Sequence, residues 1–119
     1  MIIRSADFRD SILTALADKE IMKILDCAMF KQKSFAELVK ETEIPQTTAF
    51  RKIKWLVQQK LMIVASIQIT DDGKKSSLFR STLRSFSVKY EPGEIVVEAE
   101  KNVDDVERTA EDFFSLNLK

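Results

Sequence analysis

Residues 43–60 constrain the fold most, because from about Pro45 they are predicted to form a helix with two opposite faces. Apolar side chains recur at the spacing of one helix face, at Ala49, Ile53, Leu56 and Val57. The opposite face carries hydrogen-bonding and cationic groups and no carboxylate, at Thr47, Arg51, Lys54 and Gln58. Pro45 fits the first helical turn, where its missing N–H would have had no partner. A helix with one apolar face and an opposite face without acidic residues is suited to the DNA major groove.

Three helices are predicted before this one, and capping signals mark the start of the second and third. A short helix is predicted from Asp10, preceded by a segment of ambiguous structure. Asp18 is predicted to cap a second helix that runs to about Phe30. Ser34 with Glu37 three residues later forms a capping box, which predicts the start of a third helix.

The third helix, at residues 35–42, is joined to the amphipathic helix by a turn of about two residues. Two helices with so short a connection, the second bearing the outward polar face, make a helix-turn-helix. The spacing of the apolar residues predicts a shared core of Leu38, Ile44, Ala49, Ile53 and Leu56.

Residues 61–100 are predicted to form β-strands. Apolar residues alternate with period two over 61–70, and Asp-Gly at 72–73 is a strong hairpin signal. In the return strand the apolar residues change parity, which predicts a bulge or break near 84–85. Pro-Gly at 92–93 makes a second turn, and 94–100 is a further strand.

A last helix is predicted over 103–118, capped by Asn102 or Asp104. Its apolar stripe must be buried against the body or against a second copy of the chain. The residues predicted for a dimer interface are Val103, Val106, Ala110, Phe113 and Phe114.

The zero net charge of the chain hides a strong asymmetry. Residues 31–89 hold twelve Lys and Arg against five Asp and Glu, while 90–119 hold three against nine. A basic middle beside an acidic end favours a polyanion-binding surface, although solvated charged faces remain the plain alternative. Arg80 and Arg84 are expected to share a strand face and to extend the basic surface.

Composition excludes several classes of function. The chain has no histidine and one cysteine, so no zinc-finger set, Cys–His nucleophile or Ser–His–Asp triad is available. No apolar run approaches a membrane span, and the N-terminus lacks the order of a signal peptide. We therefore expect a non-enzymatic cytoplasmic protein with no metal and no cofactor, associated with the nucleoid if it binds DNA.

The segments that carry a resemblance are 15–25, 35–39, 44–62 and the Asp-Asp-Gly-Lys-Lys stretch at 71–75. Together they resemble the winged helix-turn-helix transcriptional regulators of the ArsR-like group, especially the small one-domain archaeal members. The resemblance covers about residues 11–90. It implies an α+β, mainly helical domain spanning 1–119, with a helical core at 11–60, an extended β-wing at 61–100 and a C-terminal dimerisation helix.

The resemblance implies a homodimer that binds an operator in double-stranded DNA, with the helix at about 45–59 in the major groove and the wing at 71–76 on backbone or minor groove. The residues at the DNA-contacting positions of the family are Gln46, Thr47, Thr48 and Arg51, with Lys74 and Lys75 on the wing. Lys54 is expected to touch phosphate. Glu43 and Lys60 stand where the family commonly has glycine. The cysteines and histidines of its metal-sensing branch are absent.

Three functions remain open at this point. The first is sequence-specific, duplex-DNA-binding regulation. The second is a winged helix that binds an acidic protein as a subunit of an assembly, and the third is a non-specific, chromatin-type DNA binder. Phe50 and Trp55 flank the polar face of the amphipathic helix, and packing against a neighbouring element is the favoured interpretation of both, with a thymine-methyl contact by Phe50 as the alternative.

Overall fold

The computed structural model describes residues 1–102 of the chain. The helices in this part are α1 (Ala6–Leu16), α2 (Lys19–Cys27), α3 (Phe35–Thr42) and α4 (Gln46–Gln58). The strands are β1 (Lys33–Ser34), β2 (Met62–Ile69), β3 (Lys75–Ser81), β4 (Leu83–Glu91) and β5 (Glu94–Lys101). The predicted helix at 103–118, with the proposed interface residues Val103, Val106, Ala110, Phe113 and Phe114, lies outside the described residues.

The helices begin where side chains can satisfy their unpaired N–H groups. The Asp18 carboxylate accepts from the N–H groups of Glu20 and Ile21, each at 3.0 Å, and so confirms the predicted cap of α2. The capping box of Ser34 and Glu37 is complete, and α3 has the predicted bounds. Both caps are local, since donor and acceptor lie within three residues, which is why the sequence could indicate them.

The predicted start of α1 at Asp10 is wrong, because the helix begins at Ala6 with Ser5 as its cap. The Ser5 hydroxyl accepts from the Phe8 N–H at 3.3 Å. Before Ser5 the chain is extended along β5, with the Ile3 N–H donating to the Val97 carbonyl at 2.8 Å. This long-range pairing fixes where the extended segment stops and the helix starts.

The end of α2 was also predicted too late, since the helix stops at Cys27 rather than near Phe30. The carbonyls that follow it have partners elsewhere in the chain. The Ala28 carbonyl accepts from the Ser81 N–H at 3.0 Å, and the Met29 carbonyl accepts from the Asn102 amide at 2.7 Å. These contacts hold the chain away from a helical path.

The helix-turn-helix is formed by α3 and α4, and its core is the predicted one. All five of its apolar members are buried, namely Leu38, Ile44, Ala49, Ile53 and Leu56. Burying each of the larger side chains stabilises the fold by about 1.5–3 kcal/mol relative to exposure. The inner face of α4 is thereby fixed, and its outer face is left to solvent.

A three-stranded antiparallel sheet supplies the wing, with strand order β1-β3-β2. The short β1 lies between α2 and α3 in sequence and pairs Lys33 with Phe79 of β3. The β2–β3 turn is the predicted Asp-Gly turn: the Gly73 N–H donates to the Thr70 carbonyl at 2.8 Å, and Gly73 has a φ of 81°. Helix-turn-helix plus this hairpin gives an α+β, winged helix-turn-helix fold.

Residues 61–100, predicted as one extended wing, are divided between two sheets. β4 and β5 form a separate two-stranded hairpin that turns at Pro92–Gly93. The change of sheet falls at Thr82, which is fully buried and donates its hydroxyl to the Lys60 carbonyl at 2.8 Å. The predicted irregularity near 84–85 is confirmed, because the β4–β5 register shifts between Leu83 and Ser85. A second shift, between Val64 and Ser66 of β2, was not predicted.

Glu43 and Lys60 both adopt left-handed backbone conformations, with φ of 60° and 69°. Glu43 ends α3, where its N–H donates to the Val39 carbonyl at 3.0 Å. For a residue with a Cβ, this conformation costs about 1–2 kcal/mol. The two positions at which the resemblance expected glycine therefore both have a positive φ.

We expect Glu43→Gly to stabilise the protein relative to Glu43→Ala. Both variants remove the same carboxylate, but only glycine relieves the positive φ. The gain is about 1 kcal/mol after the larger backbone entropy of glycine in the unfolded chain is subtracted. Thermal unfolding of the two variants by circular dichroism measures it as a difference of about 4 °C in Tm. Equal Tm values would show that the strain of the αL conformation at residue 43 is no larger than the entropy cost of glycine.

Candidate nucleic-acid interface

The outer face of α4 is exposed along its length. Among the predicted contact residues of this helix, Gln46, Thr47, Arg51 and Lys54 are exposed and Thr48 is half-buried. α4 contains no Asp or Glu between Gln46 and Gln58. Pro45 precedes the helix rather than occupying its first turn, and no side chain caps its first N–H groups. This end of α4 therefore presents free N–H donors, which suit phosphate oxygens.

Of the two lysines on the wing, only Lys75 lines the groove beside α4. Lys75 and Lys54 line the same groove between the wing and α4, which has a volume of about 550 Å³. Lys74 is 84% exposed at the turn, and its Nζ lies 4.0 Å from an Asp72 carboxylate oxygen. Gln46, Thr47 and Arg51 do not line this groove. The groove therefore brings together Lys54 and Lys75 and leaves the residues at the start of α4 outside it.

The floor of the groove is apolar and includes aromatic residues. Phe35, at the start of α3, Phe50 and Phe79, on β3, all line it. The rings of Phe35 and Phe50 meet edge to face, with centroids 6.0 Å apart and an interplanar angle of 84°. Trp55 is half-buried against the core, as the favoured interpretation expected. Phe50 has a packing partner but is still 60% exposed.

Lys52 fixes α4 to the start of α2. Its Nζ lies 2.7 Å from an Asp18 carboxylate oxygen and 2.9 Å from a Glu20 carboxylate oxygen, and its side chain is 13% exposed. The sequence indicated Asp18 only as a helix cap. The pairing was missed because 34 residues separate the partners.

The ion pair changes the acid–base behaviour of both partners. The hydrogen bond from Lys52 lowers the pKa of Asp18, with further lowering by the capping N–H groups. The hydrogen bond to Asp18 in turn raises the pKa of Lys52. One carboxylate therefore caps α2 and positions α4, while the lysine that it binds is turned away from the outer face.

The expectation that Arg80 and Arg84 share an exposed strand face is wrong. Arg80 is 4% exposed on β3, and its Nε donates to the Met29 carbonyl at 3.4 Å. Arg84 is exposed on β4, in the other sheet, with its guanidinium carbon 5.8 Å from the centroid of the Phe30 ring. The change of sheet at Thr82 separates the two arginines, so Arg80 does not extend the basic surface.

Two kinds of feature are absent from residues 1–102. No helix there is long and apolar enough to cross a membrane. Over the same residues, no three or more His, Cys, Asp or Glu side chains gather where they could hold a metal ion.

Comparison with known proteins adds little. The chain matches no protein-family model and no curated protein sequence. Its structure is similar to that of HlyU from Vibrio cholerae, with 16% sequence identity and a TM-score of 0.46 over 98% of each chain. It is also similar to NolR from Sinorhizobium fredii, with 14% identity and a TM-score of 0.45 over 93% of this chain and 85% of NolR. At TM-scores this low, neither likeness bears on what this chain does.

Asp18→Asn separates the two roles of Asp18, because asparagine caps a helix well but carries no charge. At neutral pH we expect this change to cost about 0.5–1 kcal/mol of the free energy of unfolding. Asp18→Ala should cost about 1 kcal/mol more, since it also removes the cap. Urea denaturation of the three proteins measures both differences.

The cost of Asp18→Asn should depend on pH with a defined sign. Because the pKa of Asp18 is lowered in the folded protein, its charge stabilises the fold above about pH 4. That stabilisation disappears as the pH falls through the folded-state pKa, so the wild type and Asp18→Asn should converge in acid. A difference that persists undiminished at about pH 2 would contradict the ionic role.

Proposed function

We propose that this chain is a sequence-specific, double-stranded-DNA-binding transcription regulator that acts as a homodimer. In this proposal α4 lies in the major groove and the wing at 71–76 lies on the backbone or in the minor groove. The observation that carries it is the exposed, acid-free outer face of α4, whose inner face is fixed in the core. A rigid helix of this kind can hold side chains at the edges of bases.

Some of the proposed DNA contacts position the protein on the duplex, and others recognise bases. Lys54, Lys74 and Lys75 supply charge to phosphates, which sets the register of the protein on the duplex. Arg51 reads a guanine through its planar fork, which can donate to O6 and N7 together. Gln46, Thr47 and the half-buried Thr48 lie at the start of α4, where they can bond a base edge or a phosphate.

The homodimer is proposed on two grounds. The apolar stripe predicted for 103–118 needs a surface to bury it. The β4–β5 hairpin also exposes apolar side chains near its turn, at Val88, Tyr90 and Ile95. A two-fold dimer presents two copies of α4 to half-sites about one helical turn of DNA apart, so the operator should be palindromic.

The remaining parts of the proposal follow from the sequence. The protein is non-enzymatic, uses no metal or cofactor, and is cytoplasmic and nucleoid-associated. Its group is that of the ArsR-like regulators, in the small one-domain form found in archaea. The exposed Glu43 lies just before α4, where a carboxylate opposes an approaching phosphate, so the wing side of the surface has the larger share of the backbone contacts.

Selection of binding sequences from a pool of random duplexes tests the proposal. The selection is run at about 50 and 200 mM salt, because phosphate contacts weaken steeply over this range. Recovery of a two-fold-symmetric motif supports specific dimeric binding. Tight, salt-dependent binding without a motif would indicate a chromatin-type protein, and no binding at the lower salt would indicate a protein-interaction module.

Arg51→Ala should weaken binding to the selected duplex by about 1–3 kcal/mol and remove the preference at one base pair. Arg84→Ala is the matched control, since Arg84 is an exposed arginine in the other sheet. Fluorescence anisotropy with the selected duplex and with single-position variants measures both effects. Equal losses on selected and random DNA would reduce Arg51 to a phosphate contact.

A double change, Phe113→Ser with Phe114→Ser, should convert the dimer to a monomer, because it places hydroxyls in the predicted apolar stripe. Phe30→Ser is the control for loss of an exposed phenylalanine, since Phe30 is 73% exposed. Sedimentation velocity of the full chain gives the mass of each variant. A double variant that remains a dimer would place the interface elsewhere.

A further inference from the structure

Phe50 lies on the outer face of α4, away from the core. The apolar side chains of this helix that face inward are buried at Ala49, Ile53 and Leu56, whereas Phe50 is 60% exposed. It follows Thr47 by three residues and precedes Lys54 by four, so these three side chains are neighbours on the helix surface. A large apolar group thus lies within the polar outer face.

The ring of Phe50 is held in a defined position. Phe35 contacts it edge to face, and Phe35 is itself the first residue of α3, directly after the Ser34 capping box. The groove continues beside the ring to Val57 and to Val64 on the wing. The Phe50 ring therefore has one side against the protein and the other side free for a partner.

The surroundings of Phe50 restrict what that partner can be. Lys54 and Lys75 line the same groove, and Arg51 follows Phe50 in the chain. A partner must therefore offer an apolar group within a negatively charged surface. In the major groove of DNA, the C5-methyl of thymine is such a group, since the other base edges there offer hydrogen-bond donors and acceptors.

We infer that Phe50 is a specificity-determining residue that contacts the C5-methyl group of a thymine. This inference rests on the proposed function and adds to it the base that the apolar part of the surface selects. Phe50 and Arg51 are adjacent, and their Cα atoms are about as far apart as neighbouring base pairs. Because both residues lie on α4, the thymine selected by Phe50 lies in the same half-site as the guanine selected by Arg51.

The test removes one methyl group from the DNA. In the duplex recovered by selection with the wild type, each thymine near the guanine is replaced singly by deoxyuridine, which lacks only the C5-methyl. The Kd of the wild type should rise about fourfold at one of these positions, as expected for loss of one buried methyl group. Anisotropy measures the Kd of each duplex.

The same duplexes are then titrated with Phe50→Ala and Phe50→Leu. Phe50→Ala should bind the thymine and deoxyuridine duplexes equally, whereas Phe50→Leu should keep part of the preference because it retains an apolar contact. Phe30→Ala is the control, as a similarly exposed phenylalanine outside α4. It should keep the whole preference, and circular dichroism confirms that each variant is folded.

Several outcomes would overturn the inference while leaving the proposed function intact. They are a wild type that is indifferent to every deoxyuridine replacement, and a Phe50→Ala protein that retains the full thymine preference. Loss of affinity in Phe50→Ala that is the same for both duplexes also overturns it, because the ring then acts on something other than the methyl group. Failure of the proposed function itself is distinct, since the wild type then recovers no motif.

Discussion

The burial of one face of α4 is the constraint on which the rest of the molecule depends. α2, α3 and β2 all pack against this helix. Ala49 on its inner face is fully buried, and its small side chain suits a close approach between helices. A helix covered on one side by three elements cannot rotate about its axis without opening the core, so the direction of every outer side chain is fixed by residues that never meet a ligand.

Electrostatics adds to this restraint and also limits the cationic surface. Lys52 is bound to Asp18 and Glu20, and Lys33 lies 2.8 Å from a Glu41 carboxylate oxygen. Arg80 is buried. Three cations in the basic middle of the chain therefore serve the fold, and the net charge of that region overstates what a polyanion would meet.

The sequence correctly predicts the parts of the fold in which the interacting residues lie close together in the chain. The caps at Asp18 and Ser34 act within one helical turn, and the Asp-Gly turn of the wing acts within four residues. Periodicity likewise identifies the core of the helix-turn-helix and the outer face of α4. The spacing of apolar and polar residues along α3 and α4 is enough for both.

The features that the sequence does not predict depend on partners far away in the chain. Ser5 caps α1 at a point set by pairing with β5, and the Asp18–Lys52 pair crosses 34 residues. Arg80 and Arg84 look equivalent until Thr82 separates them into two sheets. For the candidate site, the exposed residues of α4 follow from the pattern, but the half-burial of Thr48 and the exposure of Phe50 depend on what packs beside them.

Asn102 holds the chain in place just beyond the C-terminal end of α2. Its buried side-chain amide donates to the Met29 carbonyl at 2.7 Å and to the Ser81 carbonyl at 3.0 Å, just beyond the C-terminal end of α2. The N-terminal end of α2 is joined to α4 through Asp18 and Lys52. α2, which is about 14 Å long, therefore connects residue 102 to α4. Because Asn102 and Lys52 hold opposite ends of α2, this helix cannot shift along its axis without stretching polar contacts at both ends.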